Sequence, residues 1–340
     1  MERGRTVRRV IESQPEAWAQ VLASDQWREW SFKGRVLLAG SGTSYYLALA
    51  AAAIGRKLGM DVSAVPTQDI ILDGSDLIGW YDSVVVISRS GETSEALWSI
   101  EVARKQGKAV LGVTCNPKAP LVNRADQAWV LPYAHDHTVV MVSSFSSMLL
   151  AFEKAFAATV SRASELNALV SAAPDFVKRA HDAIYQVTRA LPRRLYILGA
   201  GIRYGIALEG ALKSLEMSNQ TVATYGPLEF RHGPWGSLTE DDLVVILGQP
   251  QYNVHERQVL YDLAQRTQRL LTVAQPRWFG TESLPGEAIH LPDDVDDLWC
   301  GPLAVIPLQW FGFYWALGAG RDPDAPKNLT PVVDLSYGAR

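Results

Sequence analysis

The sequence predicts an α/β protein built from two similar halves, each with a parallel sheet flanked by helices. Short, charge-free β-branched runs alternate with stretches of helical apolar spacing, which is typical of βαβ units. Four predicted strands of the first half recur in the same order in the second half, about 160 residues later. The paired strands begin near residues 35 and 194, 84 and 244, 109 and 269, and 127 and 287. This recurrence indicates a duplicated domain.

The repeat also places the domain boundaries. We predict an N-terminal helical segment at 1–30, a first domain at 31–165, a second domain at 175–320 and a C-terminal tail at 321–340. Val7–Ser24 has the pattern of one helix. Pro302–Gly320 has no charged residue and is long enough to span a membrane, but it contains two prolines and stands alone. A helix buried in a large core is the better interpretation.

Composition and charge restrict the class of function. The 340 residues are 48% hydrophobic and 20% charged, with a formal net charge of −4. This balance is typical of a soluble globular protein and does not favour nucleic acid or an anionic membrane as a partner. The two cysteines form no disulfide framework and the N-terminus has no long apolar run, so we expect a cytoplasmic protein.

Two hydroxyl-bearing turns follow predicted strands of the first half. The first is Gly40-Ser41-Gly42-Thr43-Ser44, and the second contains Ser88, Arg89, Ser90, Thr93 and Ser94. Ligands of open parallel sheets bind where strands end and helices begin, and helix N-terminal amides favour an anion there. Two such turns therefore favour a single phosphate site to which each turn contributes from one side. For the second turn alone, helix capping by Thr93 or Ser94 is the alternative.

Cofactor and metal sites are not favoured by the remaining patterns of the first half. The third glycine of a dinucleotide-binding fingerprint would fall at Tyr45, where a bulky side chain stands, so we expect no cofactor. The spacing of His135-Asp136-His137 is not diagnostic of a metal site, and we expect none. Ser143 begins another apolar helix, which it either caps or joins to the same pocket.

A helix of the second half carries charges on one face. Glu209, Lys213 and Glu216 are spaced at i, i+4 and i+7. A surface ion pair worth about 0.3 kcal/mol is one interpretation, and a row of acid, base and cation facing a site is the other. His232 follows in a loop between Arg231 and Gly233, a setting in which functional residues are common.

Four motifs stand in the order of a known family: Gly40–Ser44, Ser88–Thr93, Ala207–Glu216 and Glu229–Pro234. They resemble the sugar isomerase (SIS) domain family, paired as in the isomerase half of glucosamine-6-phosphate synthase. Residues 11–18 and 139–148 resemble the related AgaS-type amino-sugar-phosphate deaminase/isomerases. The resemblance covers almost the whole chain and implies two tandem flavodoxin-like SIS domains.

The resemblance also implies roles for individual residues. The sugar phosphate would be held by Thr43, Ser44, Ser88, Ser90 and Thr93, and the wider substrate site would include Gly42, Arg89 and Ser143. Glu216 matches the base that moves the proton between C1 and C2, Lys213 a residue beside it and Glu209 a supporting carboxylate. His232 matches the ring-opening histidine, which in the synthase comes from the partner subunit. A homodimer with shared sites is therefore implied.

These residue types suit aldose–ketose interconversion. The sugar ring must open, and an imidazole can shuttle a proton at the ring oxygen near neutral pH. A carboxylate base is then needed near C1–C2, and a neighbouring lysine keeps that carboxylate ionised or stabilises the enediolate.

Two departures from the synthase shape the expected reaction. We expect no counterpart of its glutamine-hydrolysing domain, and Pro331 stands where its tail has an imine-forming lysine. We therefore expect a deaminase/isomerase that converts an amino-sugar 6-phosphate to a ketose 6-phosphate and ammonia. Isomerisation of a non-amino sugar phosphate is the alternative. A non-catalytic sugar-phosphate sensor is the hypothesis from another class, and the presence of both Glu216 and His232 argues against it.

Overall fold

The computed structural model describes residues 3–330 and 332–335, which divide into two compact units. The first unit contains residues 16–164 and those from 328 onward, and the second contains residues 165–327 and those up to 15. Each unit holds one five-stranded parallel sheet with helices, which confirms the predicted α/β class. The predicted N-terminal segment and tail are each divided between the units.

The sheet of the first unit has the flavodoxin-like strand order. Its strands are β1 (Arg35–Gly40), β2 (Asp61–Pro66), β3 (Ser83–Ile87), β4 (Ala109–Thr114) and β5 (Gln127–Val130). They lie in the order β2-β1-β3-β4-β5, and all neighbours are parallel. Ligands of this topology bind where the order reverses, beyond the ends of β1 and β3. Gly40 and Ile87, the last residues of those two strands, are paired, so the two hydroxyl-bearing turns begin side by side.

The sheet of the second unit repeats this arrangement. Its strands are β6 (Leu195–Gly199), β7 (Val222–Tyr225), β8 (Leu243–Leu247), β9 (Leu270–Ala274) and β10 (Glu287–His290). Their order is β7-β6-β8-β9-β10. The turn after β6 repeats the turn after β1, because Gly201 (φ 52°, ψ −121°) and Gly42 (φ 54°, ψ −124°) have nearly the same backbone angles. The predicted duplication therefore extends from strand order to the conformation of a turn.

Helices precede, connect and follow the strands. In chain order they are α1 (Arg5–Glu12), α2 (Gln14–Ala23), α3 (Thr43–Lys57), α4 (Thr67–Gly79), α5 (Ser94–Lys105), α6 (Pro120–Arg124), α7 (Ser143–Thr159), α8 (Leu166–Val187), α9 (Ile202–Ser218), α10 (Asn253–Ala264), α11 (Pro276–Phe279) and α12 (Gly301–Gly318). The single helix predicted over Val7–Ser24 is two helices, α1 and α2. The chain breaks at Ser13 because Pro15 has no amide hydrogen with which to continue the first helix.

Helix α12 is the charge-free segment, and it is buried within the second unit as predicted. Fifteen of its 18 residues are buried, and it packs on α8 and α9. Its buried Gln309 accepts a hydrogen bond from Gln14 Nε2 at 2.8 Å. Its own unit thus covers most of this helix, so the helix offers little apolar surface to a second subunit. Within the described residues, no helix combines the length and apolar character that a membrane crossing needs.

Two glycines allow α9 and α12 to pack closely. A Cβ atom at Gly210 would lie 2.2 Å from Cδ1 of Leu308, and one at Gly312 would lie 3.0 Å from Cα of Ser214. Any side chain at Gly210 would push the helices apart. This contact helps to fix the position of α9, the helix with the predicted row of charges.

Candidate functional site

The turn after β3 keeps its hydroxyl groups close together. Ser88 Oγ lies 3.2 Å from Thr93 Oγ1 and accepts the amide N–H of Gly91 at 3.1 Å. Ser90 Oγ accepts the amide N–H of Glu92 at 3.2 Å. Thr93 is the N-cap residue of α5, but its side chain makes no capping hydrogen bond. Helix capping therefore does not account for the Thr93 hydroxyl, which pairs with Ser88 instead.

The turn after β1 brings Thr43 and Ser44 to the start of α3. Both residues are 4% exposed, and Gly42 precedes them with a positive φ that glycine adopts without strain. The N-cap residue Gly42 has no side chain with which to cap α3. The dipole of the first turn is therefore not offset by an N-cap side chain, which suits an anion.

A segment near the C-terminus contacts the start of α5 within the same unit. The Ser94 amide donates to the Val333 carbonyl at 3.4 Å, and Ser94 Oγ donates to Asp334 Oδ1 at 3.1 Å. Ser94 Oγ also accepts the Leu335 amide at 3.0 Å. No local pattern indicates these contacts, because 240 residues separate the partners. Pro331, the position of the family lysine, lies outside the described residues.

The side chain of Arg89 is held by the loop that precedes α7. Its Nη1 donates to the carbonyl oxygens of Thr138 and Val139, each at 3.0 Å, and lies 3.7 Å from Asp136 Oδ2. Two carbonyls and a carboxylate thus surround this guanidinium. The contacts connect the turn after β3 to the loop before α7, and Arg89 remains a predicted substrate residue.

Asp136 is the buried centre of that loop. Its Oδ1 accepts the amides of Val142 and Ser144, at 3.0 and 3.1 Å, and its Oδ2 accepts the Ser144 hydroxyl at 2.5 Å. A carboxylate at this helix N-terminus is favoured by the helix dipole. Ser143, the first residue of α7, is 5% exposed beside it. Asp136 therefore caps α7 from seven residues upstream, a role that the His-Asp-His pattern did not reveal.

The predicted row of charges in the second unit is buried on α9. Glu209 and Lys213 have no exposed surface, whereas the Glu216 side chain is 16% exposed. Lys213 Nζ lies 2.5 Å from Glu216 Oε2 and 3.5 Å from Glu209 Oε1. This burial excludes the interpretation as a surface ion pair. One lysine serves two carboxylates, and Glu216 is the member of the row with access to solvent.

His232 lies on an exposed turn of the same unit. Its amide donates to the Glu229 carbonyl at 2.9 Å, and the neighbouring Arg231 lies 3.4 Å from Asp262 Oδ2. Over the described residues, the imidazole of His232 has no hydrogen-bond or ion-pair partner. The structure thus brings Glu209, Lys213 and Glu216 together but gives no contact between them and His232.

Comparisons with known proteins show which family the chain resembles. The profile of the SIS domain family matches residues 31–158 and 190–275. An isomerizing glutamine–fructose-6-phosphate aminotransferase from Pyrobaculum aerophilum is 27% identical over 344 residues, covering 96% of this chain but 56% of that protein. The chain thus spans about half the length of this relative. The D-galactosamine-6-phosphate deaminase AgaS from Escherichia coli is 26% identical over 325 residues, covering 89% of this chain and 84% of that protein.

Two solved structures share the fold over nearly the whole chain. Glucosamine-6-phosphate deaminase from Thermotoga maritima superposes with a TM-score of 0.83 at 23% identity, covering 97% of this chain and 100% of that one. A tagatose-6-phosphate ketose/aldose isomerase from Escherichia coli gives a TM-score of 0.78 at 25% identity, covering 99% of this chain and 98% of that one.

Proposed function

This chain belongs to the SIS domain family, and we propose that it converts an amino-sugar 6-phosphate to a ketose 6-phosphate with release of ammonia. The observation that carries this proposal is the buried Glu209–Lys213–Glu216 row, in which only Glu216 reaches solvent. A partly exposed carboxylate beside a buried ammonium suits proton abstraction next to a carbonyl, because it supplies a base and a positive charge for the anion that develops.

Anion binding is assigned to the two turns of the first unit. The hydroxyls of Ser88, Ser90 and Thr93 and the start of α3 supply neutral donors next to two helix N-termini. Thr43 and Ser44 are the remaining residues that we assign to the phosphate-binding site. Neutral donors bind a phosphate less tightly than buried cations do, which suits a product that must leave.

The proton transfers are assigned to Glu216. It removes the C2 proton of the open-chain amino sugar and returns a proton to C1, while the amino nitrogen loses a proton and O1 gains one, which leaves a hydroxymethyl group at C1 and an imine at C2. Water adds to that imine, and the C–N bond breaks to give the ketose phosphate and ammonia. Lys213 stabilises the negative charge that develops during the transfer, and Glu209 keeps Lys213 in place.

His232 is assigned to ring opening across a homodimer interface, in a cytoplasmic enzyme. Its imidazole is exposed and makes no contact with the row on α9. An exposed imidazole can reach a site formed by a second copy of the chain, as the resemblance implies. This assignment rests on exposure and family pattern, now that α12 offers little free apolar surface.

Relatives of both kinds exist. We prefer deamination to plain isomerisation because this chain covers 84% of the length of the deaminase AgaS. The isomerase reaction of a non-amino sugar phosphate remains the second candidate, because the tagatose-6-phosphate isomerase shares the fold.

A substrate panel distinguishes these functions. Glucosamine, galactosamine and mannosamine 6-phosphates are each incubated with the protein beside the matching hexose 6-phosphates, and ammonia and ketose phosphate are measured separately. Equal amounts of ammonia and ketose phosphate support the proposal. Aldose–ketose conversion of hexose phosphates without ammonia from any amino sugar supports the isomerase. Binding without either product indicates the sensor.

A further inference from the structure

The second unit has strand-end turns at the positions that correspond to the phosphate turns of the first. Gly199 and Leu247, the last residues of β6 and β8, are paired in the way that Gly40 and Ile87 are. The side chains differ. At offsets of 159 and 160 residues, Ser44, Ser88, Ser90 and Thr93 are replaced by Arg203, Gly248, Pro250 and Asn253. None of these four replacements bears a hydroxyl.

A carboxyl group of the protein itself occupies the turn after β8. Glu256 of α10 is 2% exposed, and its Oε2 accepts the backbone amide of Gln249 at 2.9 Å and the indole N–H of Trp278 at 2.7 Å. Backbone amides of such turns are the donors that a phosphate uses. Trp278 closes the turn, because a Cβ atom at Gly248 would lie 2.6 Å from its Nε1.

A buried ion pair lies at the start of α9. Arg203, the second residue of this helix, has no exposed surface, and its Nη2 donates to Asp297 Oδ1 at 2.6 Å. Asp297 is four residues upstream of α12, so the pair joins the beginnings of α9 and α12. Arg203 also acts electrostatically on Glu256. The three ionisable side chains of Arg203, Asp297 and Glu256 form what we call the internal cluster.

Glu216 is far from this cluster along the axis of α9. Glu216 lies 13 residues after Arg203 on α9, or about 20 Å along the helix axis. A tilt of about 3° at the start of α9 would therefore move Glu216 by about 1 Å, and a misplacement of about 1 Å can lower a rate about 100-fold.

We propose that the internal cluster is the second unit's counterpart of the phosphate site, occupied by the protein's own carboxyl group, and that Arg203 is a positioning residue for Glu216. Glu256 takes the place of a phosphate at the Gln249 amide, and Arg203 with Asp297 fixes the first turn of α9. Each chain then binds one phosphate group, in the first unit. The positioning role rests on the proposed function of Glu216, whereas the binding stoichiometry does not.

The stoichiometry is measured by equilibrium dialysis of labelled inorganic phosphate at low ionic strength. We expect one saturable site per chain, which the double variant Ser90→Ala/Thr93→Ala weakens and Arg203→Met leaves unchanged. A phosphate site that is lost in Arg203→Met and kept in the double variant would contradict the proposal that the internal cluster replaces the phosphate site of the second unit. This measurement requires no turnover.

The positioning role is measured by steady-state kinetics per folded chain. Arg203→Met should lower kcat by tenfold or more and leave KM within about twofold, because the phosphate is held in the other unit. Arg203→Lys should recover part of kcat. The matched control is Arg194→Met, since Arg194 is paired with Asp242 at 2.7 Å at the opposite end of β6. The control should lower stability without changing kcat.

Asp297→Asn provides a second variant if Arg203→Met does not fold. It keeps the shape of the side chain and removes the charge that Arg203 faces, so kcat should again fall while KM holds. Unchanged kcat in folded variants at both positions would overturn the positioning role. Absence of turnover in the wild-type chain would overturn the proposed function and the positioning role together, and the phosphate stoichiometry would still decide the internal counterpart.

Discussion

The strand-end turns of the two units lie at equivalent positions of their sheets and differ in chemistry. In the first unit the turn after β3 presents the uncharged hydroxyls of Ser88, Ser90 and Thr93. In the second unit the equivalent turn is closed by Glu256 and Trp278. Neutral donors at a helix N-terminus form a reversible site for an anion, whereas a buried internal carboxyl group fills that site permanently. One copy of a duplicated fold can thus bind a ligand while the other supports its own helices.

The helices that follow β1 and β6 show the opposite contrast. At an offset of 159 residues, Glu209 and Lys213 of α9 correspond to Ala50 and Ile54 of α3. Both α3 residues lie in the apolar core of the first unit. Phosphate binding and proton transfer are therefore assigned to different copies, and each copy is apolar or closed where the other is functional.

The largest expected effect is on turnover, in Glu216→Gln. This change keeps the shape of the side chain and removes the proton acceptor, so kcat should fall by about 100-fold or more. Affinity for sugar phosphates should hold, because the phosphate turns lie in the other unit. Glu240→Gln, at an exposed glutamate of the same unit, is the control. Exchange of the C2 proton with solvent at the wild-type rate in Glu216→Gln would exclude Glu216 as the base.

Mixed dimers test whether Glu216 and His232 of different chains form one site. Neither Glu216→Gln nor His232→Ala homodimers should turn over substrate well. A heterodimer of the two should regain one intact site of the two, because one composite site receives both wild-type residues. Activity is measured after the variants are mixed and reassociated, with heterodimers verified by differential tagging. Verified heterodimers without activity would place both residues in one chain.

The phosphate turn is tested by Ser90→Ala/Thr93→Ala. Each of the two hydrogen bonds to the phosphate contributes about 1–1.5 kcal/mol, so the affinity for a sugar phosphate should fall by about 30- to 160-fold. The duplication supplies a matched control, since Asn253 corresponds to Thr93 in the second unit. Asn253→Ala should leave affinity unchanged in calorimetric titrations. If the double variant and the wild type bind the sugar phosphate with equal affinity, Ser90 and Thr93 do not bind the phosphate.

The smallest expected effect is a pH dependence of stability from Glu256. Burial raises the pKa of Glu256 from 4.5 to about 7, with Asp297 also raising it and Arg203 and the hydrogen bonds from Gln249 and Trp278 lowering it. The folded state therefore prefers the protonated acid. The stabilisation of the folded state by the protonated Glu256 side chain is complete below about pH 4.5. It is lost as the pH rises through about 7, which lowers the free energy of unfolding by about 1–3 kcal/mol. Denaturant unfolding between pH 5 and 8 should show this loss in the wild type and not in Glu256→Gln. Parallel pH profiles would contradict it.

The strands show which parts of the fold were predictable. Eight strands were predicted: six from apolar or β-branched runs that are buried in the sheets, and the edge strands β5 and β10 from the resemblance between the two halves. The edge strands β2 and β7 were missed, since Asp61–Pro66 is mostly half-buried and Val222–Tyr225 is half-buried throughout, which leaves a mixed pattern. Buried strands have a strong sequence signal and edge strands a weak one.

The sequence by itself determined the duplication, the two hydroxyl-bearing turns and the spacing of Glu209, Lys213 and Glu216 on one helix face. Those features depend on residues that are neighbours along the chain. Only the tertiary structure decided that this row is buried, that Asp136 caps α7 and faces Arg89, and that Glu256 closes the second turn. Burial and charge compensation depend on partners far apart in sequence, and local spacing carries no information about them.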